Sequence, residues 1–313
     1  MPAVDLRTLE ARSKLLSHLR SFLKGRGLLE VETPLLWSTA IPERHIHLFS
    51  LVVGGRRFFL QASPELFLKI LLARGMGDLF QLAKVFRRSE IGRWHNPEFT
   101  LLEWYRVGWS LEALIGEVVE LVQQVLGPLP VSRLSYGALF EKAVGLPWQA
   151  PLERLAKRAY EFGLPEAAQI CRDRADWLDF LFANLVQPLL PDGIAVVEDY
   201  PAPLAALARL KRPDTAARFE LFIDRVELAN GYDELNDGKE LRKRLEAARE
   251  ELLRKGEVVP PLDETLIELT DRLPPCCGVA LGVDRLLALK LGRRSIREVI
   301  PFPWPEGSPA GAP

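Results

Sequence analysis

The chain has 313 residues, 48% of them hydrophobic, with 41 Lys and Arg against 42 Asp and Glu for a formal charge of −1. This length and apolar content build one or two domains around a sizeable core and exclude disorder across the whole chain. A charge near zero argues against a protein that grips nucleic acid chiefly by bulk electrostatics, although local basic clusters stay open.

Leu6, Leu9, Leu15, Leu16, Leu19 and Leu23 share one face at helical spacing, and Gly25 and Gly27 end the pattern, so an amphipathic helix opens the chain. Charges alternate through this region (Asp5, Arg7, Glu10, Arg12, Lys14) where a signal peptide would be apolar. No apolar run approaches the roughly 20 residues that span a bilayer, and a cytoplasmic protein is expected. Residues 28–36 follow, interrupted by Thr33-Pro34. Phe49 to Val53, Gly54-Gly55 and Arg56 to Leu60 then spell a hairpin. Ser63-Pro64-Glu65 reads as a cap, a proline at the first helical position and an acid in the first turn of a helix through Leu72.

Leu79 to Phe86 and Glu98 to Val107 read as two strands around an arginine-rich loop, after which Ser110 caps a helix that stops at Gly127-Pro128. Residues 128–192 are helix-rich, punctuated by proline, and carry no recognisable chemical pattern. They are expected to be an insertion packed on a catalytic domain spanning residues 1–300. Phe219 to Ala229 has strand character, Lys239 to Lys255 the charge density of a solvated helix, and Pro301 to Pro313 the composition of a disordered tail. Strands that succeed one another as hairpins predict an α+β fold, a mainly antiparallel sheet flanked by helices. Neither GxGxxG nor GxxxxGK[ST] occurs, which argues against a Rossmann or P-loop nucleotide site.

Four segments carry possible chemistry. The loop Arg87 to Asn96 gathers three arginines (Arg87, Arg88, Arg93) and His95 around Ser89 and Glu90, and guanidinium forks suit polyphosphate, although a solvated surface loop has the same composition. Glu103 and Tyr105 face one side of their strand, so a buried Glu103 needs a cationic partner or ligand. A hairpin turning at Asp224-Arg225 would set Phe222 opposite Glu227 and make Glu220 and Glu227 diagonal neighbours about 7 to 8 Å apart at the backbone. Such a pair can share Mg²⁺, or simply face solvent. Gly278 to Arg285 places small residues before a helix, letting backbone approach a flat ligand with Arg285 beside it. His45 and His47 alternate on one strand face without a third ligand, and three cysteines, two adjacent (Cys276, Cys277), form neither a disulfide framework nor a zinc pattern.

In order and spacing these segments resemble the class II aminoacyl-tRNA synthetases, specifically the lysine branch. Gly27 to Pro34 is similar to the first signature motif, which forms the family's dimer interface. Phe86-Arg87 through Thr100, with Glu103-Trp104-Tyr105, is similar to the second, and Gly278 through Arg285 to the third. Ser63-Pro64-Glu65 and Glu227 through Glu234 resemble further lysine-branch signatures, so the likeness covers roughly residues 10 to 300. Only 26 residues precede the first motif, too few for the anticodon-binding barrel of the tRNA-charging enzymes. The resemblance is therefore to the short paralogues that ligate (R)-β-lysine to elongation factor P.

That resemblance implies a homodimeric, ATP- and Mg²⁺-dependent ligase with no membrane association and no stable tRNA binding. Arg87 would bind the α-phosphate, with Ser89, Glu90, His95, Asn96, Phe99, Leu228 and Gly282 around the nucleotide. Arg285 would cover adenine and reach the γ-phosphate. Glu220 and Glu227 would hold the metal, Glu227 also bordering the nucleotide. Ser63, Glu65, Glu103, Tyr105, Asn230, Glu234 and Ala280 would form the amino-acid pocket. Two departures stand out. Ala280 replaces a family glycine beside the amino acid, where one carbon shifts discrimination by roughly 1 to 3 kcal/mol and fits β- over α-lysine. Ser89 stands where the family has glutamate, and Glu90 or the loop backbone is expected to take over its adenine contact. The competing readings are a tRNA-charging enzyme with its anticodon module in trans, an asparagine synthetase paralogue, disfavoured because its substrate is an acid, and a non-catalytic regulatory paralogue. The last would be expected to lose Arg87, Arg285 or the glutamate pair.

Overall fold

A computed structural model describes residues 4–305 and resolves them into two compact units, one made of residues 4–127 with 234–305, the other of residues 128–233. The first unit opens with α1 (Leu6–Lys24), capped by the Asp5 carboxylate, which accepts from the Thr8 N–H at 2.9 Å. Short strands β1 (Leu29–Glu30) and β2 (Leu36–Trp37) precede the hairpin β3 (Ser50–Val53) and β4 (Arg56–Leu60). Gly54 and Gly55 both take positive φ at its turn, as the dipeptide predicts. Helix α2 spans Glu65–Ala73 and begins one residue later than the sequence suggests. Pro64 occupies the cap position, and Ser63 Oγ accepts only a 3.4 Å bond from the Glu65 N–H. Strands β5 (Leu79–Phe86) and β6 (Glu98–Val107) flank the arginine-rich loop, and α3 (Leu111–Leu126) follows its Ser110 cap.

The second unit contains β7 (Val131–Ser135), helices α4 (Tyr136–Val144), α5 (Leu152–Glu161), α6 (Ala167–Ile170) and α7 (Arg174–Leu181), and strands β8 (Ile194–Pro201), β9 (Leu210–Arg212), β10 (Thr215–Ile223) and β11 (Val226–Asp233). The helices predicted for 128–192 thus share a unit with the strands that follow them. Within it β11, β10 and β8 pair antiparallel, β7 joins β8 in parallel, and β9 lies against β10. Tyr136, Phe140, Phe182, Tyr200 and Phe222 pack as an aromatic core on one side of this sheet.

The chain returns to the first unit through α8 (Gly238–Arg254), α9 (Glu264–Thr270), β12 (Cys276–Gly282) and α10 (Val283–Lys290). Strand order there is β1-β5-β6-β12, antiparallel except for β1 on β5. The expected α+β architecture with mainly antiparallel sheet is what the chain forms. Near the end of the described segment the Trp304 backbone N–H donates to Asn96 Oδ1 at 2.8 Å, while residues 306–313 of the expected tail lie outside the described residues.

Strand alternation gives β6 two unlike faces. On one, Trp104 is fully buried and its indole donates to Glu117 of α3 at 2.9 Å. Arg106 reaches the same carboxylate from Nε at 3.0 Å and also grips Asp78. The other face carries Phe99, Leu101, Glu103 and Tyr105. Glu117 and Arg106 are each only a few per cent exposed, so truncating the acid strands a buried cation and an indole N–H. Glu117→Ala is expected to lower unfolding free energy by about 3 kcal/mol, read from urea denaturation.

Candidate active site

The sheet register assembles the first cluster. β12 runs against β6 with Gly278 opposite Tyr105 and Ala280 opposite Glu103, while Gln81 of β5 flanks Glu103 on the other side. All five therefore share one sheet face. A side chain at Gly278 would collide with the Tyr105 ring and the Glu234 carboxylate, so glycine is what lets them converge. Glu234 is held there by its own N–H, which donates to the Cys276 carbonyl at 3.0 Å. From above, α2 supplies Glu65 and, one helical turn on, Lys69.

These groups form a buried charge cluster. Lys69 Nζ lies 2.5 Å from Glu65 Oε1 and 2.7 Å from Glu234 Oε2. The Tyr105 hydroxyl donates to Glu103 Oε1 at 2.7 Å. Burial pushes the Glu103 carboxyl well above the usual carboxylate range, and the Glu65 charge adds to that despite the Tyr105 bond and Lys69. Burial, with Glu103 beside it, likewise raises the Tyr105 phenol. The pocket is short of positive charge as it stands.

A second cluster continues along the same sheet face. The Arg87 guanidinium rests 5.1 Å from the Phe99 ring centre and donates from Nη1 to Glu90 Oε1 at 3.1 Å and from Nε to the Ala62 carbonyl at 3.4 Å. His95 Nε2 stands 2.9 Å from Arg285 Nη2, and Arg285 Nε donates to the Trp94 carbonyl at 3.0 Å. The loop is tied down behind these cations: the Arg93 carbonyl accepts from the Ile296 N–H and Ser295 Oγ, each at 3.0 Å. Asp284, next to Arg285, is buried and accepts from Arg12 Nη1 at 2.5 Å and from the Thr100 N–H at 2.6 Å.

In the second unit the hairpin turns at Asp224-Arg225, both at positive φ, with Phe222 opposite Glu227 as the spacing predicts, while a register shift sets Glu220 opposite Asn230. The register shifts between Leu221 and Phe222, with Leu228 of β11 as the extra, bulged residue. Arg218 donates to one Glu220 oxygen and the Tyr200 hydroxyl to the other at 2.6 Å. Burial still pushes the Glu220 carboxyl up to about 7, Arg218 and Tyr200 opposing and Glu227 adding to the rise. Among the described residues no group of three or more His, Cys, Asp and Glu is arranged for a metal. The Glu220/Glu227 pair nevertheless has the donor chemistry of a Mg²⁺ site that shares its ion with phosphates: a buried carboxyl raised in part by the Glu227 charge beside it, which a hard cation would relieve.

A family model described as tRNA synthetases class II (D, K and N) matches residues 4–305. The chain belongs to this family. It is 39% identical over 312 residues to the elongation factor P–(R)-β-lysine ligase of Pasteurella multocida (strain Pm70), covering 96% of each chain. A protein of the same name from Pseudoalteromonas translucida (strain TAC 125) is 40% identical over 312 residues, again 96% of each. The one from Vibrio atlanticus (strain LGP32) is 39% identical over 315 residues, 97% of this chain and 98% of the relative.

In this class II chain the structure brings Glu65, Glu103, Tyr105, Glu234 and Ala280 together, with Ser63 just before α2, and gathers Arg87, Glu90, Phe99, His95 and Arg285. Gly282 caps α10 beside Arg285. Ser89 is exposed in the loop turn, and it is Glu90 that engages Arg87. Asn96 is buried, and its amide is committed to the Trp304 N–H and the Glu98 carbonyl, which ties down this end of the loop. Leu228 is buried, and Asn230 bonds Arg218 and Tyr232. His47 faces Glu257 at 2.9 Å. Lys69 escaped the sequence reading, although a lone lysine four residues after Glu65 in an otherwise apolar helix was a usable signal.

A carboxyl raised in the folded state stabilises the fold below its unfolded pKa and loses that contribution as pH climbs through the folded value. For Glu220 the window runs from 4.5 to about 7. Chelator-treated protein should therefore lose stability across this window, and Glu220→Gln should flatten the slope by an amount on the order of 2 kcal/mol in pH-dependent urea unfolding.

Proposed function

We propose that this chain activates (R)-β-lysine with ATP to an aminoacyl-adenylate and transfers it to the ε-amino group of a lysine on elongation factor P, working in the cytoplasm. The observation that carries this reading is the acid-rich pocket around Glu65, Glu103 and Glu234, which suits a substrate with two ammonium groups and repels one bearing a second carboxylate. The relatives' names supply the acceptor, and their coverage of nearly the whole chain supports it.

Chemically the first step is attack of the amino-acid carboxylate on the α-phosphorus, with pyrophosphate leaving. No protein nucleophile is needed, and the chain's part is to position and to stabilise charge. Arg87 takes the α-phosphate, and Arg285, held by Trp94, serves the distal phosphates and one face of adenine. Phe99 offers its ring to the base, with Arg87 already over it as a cation–π partner. Glu220 and Glu227 would hold Mg²⁺, which when bound offsets the triphosphate's charge. Glu103, Tyr105 and Glu234 receive the side-chain ammonium and Glu65 the other amine. The Ala280 methyl, on the same sheet face and directly opposite Glu103, narrows the pocket in favour of the β-isomer. In the second step an uncharged lysine amine of the acceptor attacks the mixed-anhydride carbonyl, forming the amide and releasing AMP.

Dimerisation through the first motif, residues 27–34, also belongs to this reading, together with the apolar stretch that follows it. Leu29, Leu35, Leu36 and Trp37 are exposed there, an apolar strip that a second copy would cover. Residues 1–300 form its catalytic domain, with 128–192 as an insertion. Tying Arg87, Arg285 and the glutamate pair into hydrogen-bonded sites favours catalysis over a purely regulatory role.

Glu103→Ala or Glu234→Ala should reduce ATP–pyrophosphate exchange with (R)-β-lysine at least about a hundredfold, in line with the roughly 3–5 kcal/mol attached to one member of a buried charge pair. Labelled (R)-β-lysine incubated with enzyme and ATP should mark elongation factor P and leave tRNA unmarked. Stable labelling of tRNA alone would overturn the acceptor assignment.

A further inference from the structure

Lys69 lies in a helix whose neighbouring positions Leu66, Leu68 and Leu72 are buried leucines, where an apolar side chain would serve packing equally well. Its ammonium is instead enclosed between Glu65 and Glu234. Against the pull of burial, Glu234 and then Glu65 hold it above the usual lysine range, so it stays cationic. Glu103 is faced by Glu65 and Lys69 from α2, Tyr105 from its own strand, Gln81 from β5, and Glu234. Gln81 is neutral and spends its carbonyl oxygen on the Thr33 hydroxyl at 2.8 Å.

We propose that Lys69 is the resident counter-ion of the amino-acid pocket, a specificity-determining positioning residue that cancels one of three buried carboxylates and so leaves the pocket matched to a substrate carrying two ammonium groups. The inference rests on the reading given above and extends it to the charge balance of binding. Without substrate, Glu65 and Glu234 against Lys69 leave one negative charge, and Glu103 keeps its proton. When the diammonium substrate enters, the Glu103 O–H bond breaks, the proton passes to solvent, and the new carboxylate pairs with an arriving ammonium. Two fixed negative charges then meet two positive ones. Without the lysine, the same three carboxyls would meet the two ammonium groups with one buried negative charge left uncompensated.

Calorimetric titration of the full chain with (R)-β-lysine near neutral pH, in buffers of different ionisation enthalpy, counts the protons released. Wild type should release about one proton per site as Glu103 ionises. Lys69→Met should raise the KM for (R)-β-lysine at least about tenfold in pyrophosphate exchange, with the KM for ATP unchanged. A Lys69→Met protein that binds ATP yet keeps the wild-type KM for (R)-β-lysine would overturn the proposal. Should that variant fail to fold, the wild-type count decides alone, since release of no proton overturns it equally. Absence of any (R)-β-lysine-dependent exchange in wild type is a separate result: it removes the functional reading, and the inference with it.

Discussion

Putting charge inside a protein is costly unless each group finds a partner, and the first unit is organised around that constraint. Three carboxyls converge on one face of a β-sheet because the β6–β12 register, a glycine without a side chain at 278 and one turn of α2 leave them no other position. Lys69 offsets part of their charge. The residual imbalance, visible in the raised Glu103 carboxyl, is a store of binding energy for a cation of the right shape.

The opposite face of the same strand shows what a closed account of charge looks like. Arg106 is satisfied by Glu117 and Asp78, Trp104 shares the Glu117 carboxylate, and the network seals α3 onto the sheet. Strand alternation thus places a neutralised cluster and an acid-rich one a single residue apart. Rigidity on the first face is what holds the second to a fixed geometry, since Glu103 and Tyr105 cannot shift without dragging Trp104 between them.

Local chemistry made most of the elements readable. Ser110 and the Gly54-Gly55 turn announced their boundaries, and both long strands span the residues read as strands from the sequence. The Glu220–Glu227 hairpin was legible because a two-residue turn fixes register. What escaped depended on contacts distant in sequence. Nothing near Asn96 says that Trp304, 208 residues away, takes its amide oxygen. Nor does composition say that Glu234 comes to rest against Lys69, which turns an ordinary helix lysine into part of the site. The likeness to the class II family supplied roles that spacing alone leaves open, such as which carboxyls meet an amine and which a metal.

The cationic half of the site follows a different rule from the acidic half. Cations that stabilise a transferring phosphoryl group work best when they need not reorganise during the reaction. Arg285 is fixed by the Trp94 carbonyl, and its neighbour Asp284 is clamped by Arg12 of α1 and by the Thr100 N–H of β6. Arg12 also donates to the Thr100 hydroxyl at 2.7 Å, so helix, strand and α10 are joined at one point. That point lies one residue from Phe99 and one from Arg285. The two groups proposed to sandwich adenine are therefore anchored to a common buried ion pair, and the separation between ring and guanidinium is set by the fold before any nucleotide arrives.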